Sequence, residues 1–160
     1  MESKNDRNRF MAEAIRLAGC NLATGNGGPF GAVVVKDGKI IAGGSNQVTV
    51  NNDPTAHAEI VAIREACTVL NSFQLDDCEI YCSCEPCPMC LGAIYWARPK
   101  KIYFAAGRKD AAEAGFDDDF IYREISLNPA DRAIEAEQFM QGEAVEVFRK
   151  WKESENKIEY

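Results

Sequence analysis

Four of the chain's seven cysteines lie within nine residues, in the run Cys82-Ser-Cys84-Glu-Pro-Cys87-Pro-Met-Cys90. This cluster constrains the fold because its thiols must form disulfides, bind a metal or iron–sulfur cluster, or pack as small apolar groups. The N-terminal MESKNDRNRF has no apolar leader, and no apolar run approaches the roughly 18 residues that span a bilayer. We therefore expect a cytoplasmic chain with reduced thiols. An odd number of cysteines also fits a disulfide framework poorly.

Size and charge narrow the class of protein. A chain of 160 residues with 46% hydrophobic content fits one domain, residues 1–160, with a sizeable core. The net charge is −7, whereas nucleic-acid binders normally present a basic face to the phosphates. Lys and Arg are scattered apart from a short cluster at Arg98, Lys100 and Lys101. We expect a small-molecule partner, with no nucleic acid and no membrane.

Apolar spacing and turn residues predict the first elements. A helix is indicated by apolar residues at i, i+4 spacing, namely Phe10, Ala14, Ala18 and Leu22. The Asp37-Gly38 pair lies between two short apolar runs and predicts a hairpin of strands over 31–36 and 39–43. Asp53-Pro54 predicts the N-cap and first residue of a second helix.

Strands and helices then alternate along the chain. The sequence predicts a third strand over 78–83, a helix over 88–97 and a fourth strand over 101–105. The remaining residues are more polar and have a helical pattern. Strands separated by helices favour an α/β sheet covered on both faces.

The spacing of the cysteines argues against an iron–sulfur cluster and against a closed four-cysteine zinc site. A ferredoxin-type cluster would need a further cysteine at position 94, which is Ile94. A closed four-cysteine zinc site would need Cys82. Because Cys82 and Cys84 share one strand face with Ile80, burial in the core is the favoured interpretation for both.

Cys87 and Cys90 have the geometry of a ligand pair. Prolines flank Cys87 and suit a helix start, and residues three apart lie on one helix face. His57, the chain's one histidine, offers a third ligand. Three protein ligands and an open position are typical of catalytic zinc. Glu59 lies two residues beyond His57, about 200° around a helix, and is predicted to face the nucleophilic water instead of the metal.

His57-Ala-Glu59 and Pro86-Cys87-x-x-Cys90 together match the H-x-E…P-C-x-x-C pattern of zinc nucleobase deaminases. The chain thus resembles the cytidine deaminase superfamily. The resemblance implies a three-layer α/β/α sandwich with a mixed five-stranded sheet. It also implies one Zn²⁺ per subunit, bound by the histidine and the two cysteines, with Glu59 carrying protons in catalysis.

Within the superfamily, the chain is similar to bacterial zinc-dependent guanine deaminases. The resemblance runs through residues 27–38, 51–59, 83–99 and 110–122 and the terminal Tyr160; residues 126–142 do not match. It implies deamination of guanine to xanthine by a homodimer. It also implies that a C-terminal segment of about 143–160 crosses to the partner subunit, where Tyr160 reaches the base.

The same resemblance points to further substrate contacts. Asp118 would accept the N1–H and 2-amino donors of guanine, since an ionised carboxylate is an acceptor only. Asn46 offers a donor and an acceptor for a purine oxygen or ring nitrogen. Phe30 and Trp96 would stack on the base. From local sequence, an exposed acidic loop, a turn residue and core aromatics remain the alternatives for these positions.

Two other functions stay open. A tRNA adenosine deaminase, or another nucleobase deaminase of the superfamily, would share the Asp-Pro-Thr-Ala-His-Ala-Glu and Pro-Cys-x-Met-Cys elements. The acidic charge, the Gly-Phe-Asp-Asp run at 115–118 and the terminal Tyr160 favour the free base. The second alternative is a zinc-stabilised binding module, in which Glu59 would be dispensable.

Overall fold

A computed structural model describes residues 4–160 and divides them into two compact units. The first unit ends at Asp118, and the second covers Asp119–Tyr160. The first unit contains α1 (Lys4–Thr24), β1 (Gly31–Lys36), β2 (Lys39–Ser45), α2 (Val48–Asn51), α3 (Ala58–Leu70), β3 (Glu79–Cys84), α4 (Pro88–Ala97), β4 (Lys101–Ala106) and α5 (Arg108–Glu113). The helix over 88–97 has the predicted bounds.

The sheet of the first unit is mixed, with strand order β2-β1-β3-β4. β1 pairs antiparallel with β2 and with β3, whereas β3 and β4 are parallel. The expected five strands are wrong for the described residues, which form four. The four strands that were predicted from apolar runs in the sequence are all present. After β4 the apolar residues recur at helical spacing, so no run with strand alternation follows.

Helices cover both faces of this sheet, as predicted. One core contains Val33, Val35 and Tyr81 of the sheet together with the α1 residues Phe10 and Ala14. The other core joins the opposite sheet face to an alanine-rich side of α3 and to the end of α4, through Ala32, Val34, Ile80, Cys82, Ala58, Ala62, Ala66, Ile94 and Ala97. These cores place α3 and α4 on the same sheet face, with their N-termini available to one site.

Two glycines allow the helices to approach the sheet closely. A Cβ on Gly31 would lie 2.2 Å from the carbonyl oxygen of Ala14 in α1. A Cβ on Gly44 would lie 2.5 Å from the carbonyl oxygen of Ala58 in α3. A side chain at Gly31 would therefore displace α1. A side chain at Gly44 would displace α3 and, with it, the residues at the N-terminus of α3.

The hairpin turn agrees with its sequence pattern. Asp37 and Gly38 both have positive φ, 49° and 69°. This is the backbone that a two-residue hairpin loop requires.

The buried face of α1 ends differently from the prediction. Phe10, Ala14 and Ala18 are buried, but Leu22 is exposed and Asn21 is buried in its place. Each i+4 step overshoots a full turn by about 40°, so Leu22 is rotated by roughly 120° from Phe10, whereas Asn21 returns to within about 20°.

The predicted start of the second helix is also wrong. Asp53 does not cap a helix; its Oδ1 accepts hydrogen bonds from the backbone N–H and the hydroxyl of Thr55, at 2.8 and 2.7 Å. This local turn competes with helix formation. As a result α3 begins at Ala58, and His57 is its N-cap residue.

The second unit contains α6 (Asp119–Ser126), a 3₁₀ turn (Pro129–Asp131) and α7 (Gln141–Glu153). None of its residues is buried, although it includes large apolar side chains at Phe139, Phe148 and Trp151. Within the described part of the chain, no helix is both long and apolar enough to cross a membrane.

Candidate metal centre and active site

Two helix N-termini supply the side chains of the candidate metal centre. His57 and Cys87 are the N-cap residues of α3 and α4 and share an extended backbone, with φ, ψ of −68°, 157° and −64°, 167°. Their carbonyls accept the first helical hydrogen bonds, from Val61 N–H at 3.0 Å and Leu91 N–H at 2.8 Å. Neither side chain caps its own helix, so both remain available to a ligand.

The structure brings His57 together with Cys87 and Cys90. Nδ1 of His57 lies 3.5 Å from each of the two Sγ atoms. All three ligand atoms lie within 4.8 Å of one another, and the group could hold a metal ion. For tetrahedral zinc, bonds of about 2.3 Å to sulfur and 2.0 Å to nitrogen would separate the ligand atoms by about 3.5 Å. The donor set and its spacing therefore fit zinc.

The protonation states in this group are coupled. The hydrogen bond from Cys90, together with the contact with His57, lowers the pKa of Cys87 to about 4, against the opposing effect of burial. The same bond, together with burial, raises the pKa of Cys90. The Cys87 contact raises the pKa of His57. One proton is thus shared by the two sulfurs, and a divalent cation would displace it because coordinated thiols are deprotonated.

Glu59 lies beside the ligand group without joining it. Its Oε2 is 3.5 Å from Sγ of Cys90, and its residue is only 8% exposed. Desolvation by burial raises the pKa of its carboxyl. A buried carboxyl with a raised pKa is suited to general acid–base catalysis.

Cys82 and Cys84 point to the core side of β3 and lie outside the ligand group. Burial raises the pKa of both thiols, most strongly for Cys82. The Cys84 thiol donates to the carbonyl of Gly107 at 3.7 Å. Both therefore behave as buried, protonated thiols.

Asn46 is buried, and its segment is hydrogen-bonded to the segment that precedes His57. Its neighbour Gln47 donates a backbone hydrogen bond to Ala56 O at 2.9 Å, and Ala56 directly precedes His57. Oδ1 of Asn46 accepts the backbone N–H groups of Gly28 and Val48, at 3.3 and 3.2 Å. These bonds use the acceptor and fix the orientation of the amide, so Asn46 can offer a ligand only the N–H donors of Nδ2.

Asp118 differs from its two acidic neighbours. It is partly buried, whereas Asp117 and Asp119 are exposed. Desolvation raises the pKa of Asp118, and the nearby charge of Cys87 raises it further. Arg108 acts in the opposite direction. The carboxyl of Asp118 therefore lies within electrostatic range of the candidate metal ligands.

Phe30 is partly buried and is held by an aromatic contact. Its ring meets Phe116 edge-on, with centroids 4.9 Å apart. A Cβ on Gly28 would lie 3.1 Å from the Phe30 ring and 3.4 Å from Phe116. Gly28 and Phe116 thus fix the position of a ring that could stack on a planar ligand.

The other two aromatic candidates, Trp96 and Tyr160, are exposed. Trp96 lies on α4 and is 64% exposed. Six residues separate it from Cys90, a rise of about 9 Å along the helix. Tyr160 is the exposed last residue of the second unit. The roles assigned to both remain predictions.

The cytidine and deoxycytidylate deaminase zinc-binding region matches residues 4–106, a range that includes the three candidate ligands and Glu59. The chain belongs to this deaminase family. A family named for zinc binding agrees with the donor set of His57, Cys87 and Cys90.

Similarity to one relative extends across nearly the whole deaminase chain. Guanine deaminase of Bacillus subtilis is 58% identical over 151 residues, which cover 94% of this chain and 97% of that protein. Its X-ray structure matches with a TM-score of 0.93 and 57% identity, covering 96% of this chain and 98% of that one. The structure of guanine deaminase from Nitrosomonas europaea matches with a TM-score of 0.65 and 31% identity, over 85% and 70% of the two chains.

Similarity to another branch of the family is shorter. The tRNA-specific adenosine deaminase of Aquifex aeolicus is 49% identical over 78 residues, 49% of this deaminase chain and 52% of that protein.

Sequence reasoning missed two residues that shape this site. Phe116 contacts Phe30, and buried Asn21 hydrogen-bonds the backbone around Asn46. Asn21 could have been identified from its angular position around α1, since it is a polar residue on the apolar face of that helix.

Proposed function

We propose that this protein deaminates guanine hydrolytically to xanthine and ammonia, using one zinc ion per subunit bound by His57, Cys87 and Cys90. The observation that carries this proposal is the extent of similarity to Bacillus subtilis guanine deaminase, which includes 94% of this chain. The match to the tRNA-specific enzyme of Aquifex aeolicus covers only 49%. Similarity over the full length includes the region around Asp118, where guanine would be distinguished from adenine.

The ligand set leaves one tetrahedral position open. A zinc ion held by His57, Cys87 and Cys90 would supply an activated water at the open position, since zinc lowers the pKa of bound water to about 7. The two helix N-termini direct partial positive charge at the site, which favours the thiolate forms of Cys87 and Cys90.

Glu59 moves the protons of the reaction. It accepts a proton from the attacking water as the new C2–O bond forms and delivers it to N3 of the ring. As the C2–N bond breaks, it transfers the remaining hydroxyl proton to the amino group, which leaves as ammonia, while the C2 oxygen becomes the carbonyl of xanthine. Its burial and its position 3.5 Å from Cys90 support this role. A positioned acid/base that transfers the two protons of the water in succession accounts for both halves of the hydrolysis.

Asp118 and Asn46 select the base. The Asp118 carboxylate accepts from N1–H and the 2-amino group of guanine, whereas adenine would present an acceptor at N1. Asn46 donates from Nδ2 to a purine oxygen or ring nitrogen, because its Oδ1 is already bonded to Gly28 and Val48. Phe30 and Trp96 stack on the ring.

The active form is a homodimer in which the C-terminal segments are exchanged, and Tyr160 of the partner subunit closes the pocket. The exposed apolar side chains of the second unit support this, because a unit without buried residues needs another surface for Phe139, Phe148 and Trp151. We also propose a cytoplasmic location, since metal-ligating thiolates must stay reduced.

The decisive experiment offers the zinc-loaded protein guanine, adenine, cytosine, cytidine and a tRNA anticodon stem-loop with adenosine at the wobble position. We expect ammonia and xanthine from guanine and no comparable turnover of the others. Inosine in the stem-loop without xanthine would indicate the tRNA-directed activity. Zinc binding with no deamination of any substrate would indicate a binding module.

A further inference from the structure

Asn21 is a buried polar residue on the otherwise apolar face of α1. It is 5% exposed and continues the stripe of Phe10, Ala14 and Ala18. A buried amide is costly unless it is hydrogen-bonded, so its partners indicate why it lies there. Both bonds come from Nδ2, which donates to Gly28 O and to Asn46 O, each at 2.8 Å.

These two acceptors belong to the segments that carry the proposed base contacts. Gly28 O also accepts the backbone N–H of Phe30 at 2.9 Å. Asn46 N–H donates to Phe30 O at 3.0 Å. One amide of α1 therefore ties together the turn before Phe30 and the backbone of Asn46.

The same network fixes the side chain of Asn46. Its Oδ1 accepts from Gly28 N–H and Val48 N–H, so the amide plane is set by backbone that Asn21 holds. The two segments also pack closely, since a Cβ on Gly27 would lie 2.3 Å from Asn46 O. Nδ2 of Asn46 is left as a donor, and within residues 4–160 no hydrogen bond occupies it.

The same hydrogen-bond network includes the residue that precedes the candidate metal ligand His57. Gln47, next to Asn46, is hydrogen-bonded to Ala56, which precedes His57. The distance from the free Nδ2 donor to the metal ligands is thus controlled through backbone bonds on both sides of Asn46. A shift of the 46–48 segment would move the donor relative to the site of chemistry.

We infer that Asn21 is a positioning residue for purine recognition: without touching the substrate, it holds Asn46 so that its free N–H donors point at an acceptor of the base. The inference rests on the proposed function for its substrate. Its structural part, the control of the Asn46 amide by Asn21, can be tested without turnover.

The test uses Asn21→Leu, which keeps the branched shape of the side chain and removes both donors, and Asn21→Ser, which is smaller and keeps one donor. Phe10→Leu is the matched control, because Phe10 is buried on the same helix against Tyr81 and away from these loops. We expect Asn21→Leu to raise KM for guanine about tenfold or more, with kcat changed far less, the pattern of lost binding interactions. Phe10→Leu should lower the melting temperature and leave KM unchanged.

A double-mutant cycle separates positioning from general destabilisation. If Asn21 acts through Asn46, then Asn46→Ala and Asn46→Ala combined with Asn21→Leu should have the same kcat/KM within about twofold. Full additivity of the two losses would overturn the inference, as would an unchanged KM in both Asn21 variants.

An NMR readout keeps the inference testable if the parent protein does not deaminate guanine, which would refute the proposed function alone. The side-chain amide resonances of Asn46 are assigned by their loss in Asn46→Ala. Asn21→Leu, or Asn21→Ser if the first variant does not fold, should shift and broaden them. Unchanged Asn46 resonances would refute the positioning role, whatever the protein's substrate.

Discussion

His57 and Cys87 are equivalent in the architecture: each is the N-cap residue of a helix, and Nδ1 of His57 lies 3.5 Å from Sγ of Cys87. The sheet face shared by α3 and α4 makes the two helix starts converge. Because neither side chain caps its own helix, each can serve as a ligand. The site is therefore a product of where two helices begin.

Replacing one ligand should remove the metal, and replacing a core cysteine should not. We expect Cys87→Ser to lose most of the bound zinc, because the remaining ligands no longer surround the ion. Cys82→Ser, on the adjoining strand, should retain about one zinc per chain. Elemental analysis of both purified variants is the measurement. Equal zinc loss in the two would exclude the three-ligand site.

Glu59→Gln should separate metal binding from catalysis. The amide keeps the shape of the side chain but cannot accept a proton, so deamination should fall by a factor on the order of 10² to 10⁴. Zinc content should match that of the parent. Steady-state ammonia release and elemental analysis check the two parts, and near-parental turnover would remove Glu59 from the mechanism.

The acidic triplet should contain one residue that matters for guanine. Asp118→Asn places an amide opposite the donors of guanine, and we expect kcat/KM to fall about 10- to 100-fold, the worth of a charged hydrogen bond. Melting temperature and zinc content should change little. Asp117→Asn is the matched control, since Asp117 is exposed. A loss in Asp117→Asn alone would move the role by one residue.

Removing Ile158–Tyr160 should impair guanine turnover without affecting the metal. The proposed exchange of C-terminal segments places this tail over the partner's pocket, where it would exclude water. We expect a higher KM or a lower kcat in the truncated protein, and a dimer for the parent by sedimentation. Parental kinetics after truncation, or a monomeric parent, would refute the exchange.

Local chemistry explains which features the sequence predicted. Asp37-Gly38 specifies its turn because both residues need positive φ, and Pro88 suits the first turn of α4. The ligand set could be predicted because two short motifs each begin a helix. The spacing within these motifs predicts the candidate ligands even though α3 starts at Ala58 and not at Pro54.

The remaining features depend on tertiary contacts. Asp53 has the composition of a helix cap, but its bonds to Thr55 close a turn instead. Burial distinguishes Asp118 from its neighbours, and local sequence contains no such difference. The fifth strand was expected from resemblance alone, without an alternating apolar run to support it.

Guanine hydrolysis in ¹⁸O-labelled water tests the central claim most directly. The zinc-loaded protein should convert guanine to xanthine with one labelled oxygen, at C2, and release one ammonia per xanthine. Mass spectrometry of the product and an ammonia assay measure both. Unlabelled xanthine, or no xanthine from a protein that holds its zinc, would contradict the account.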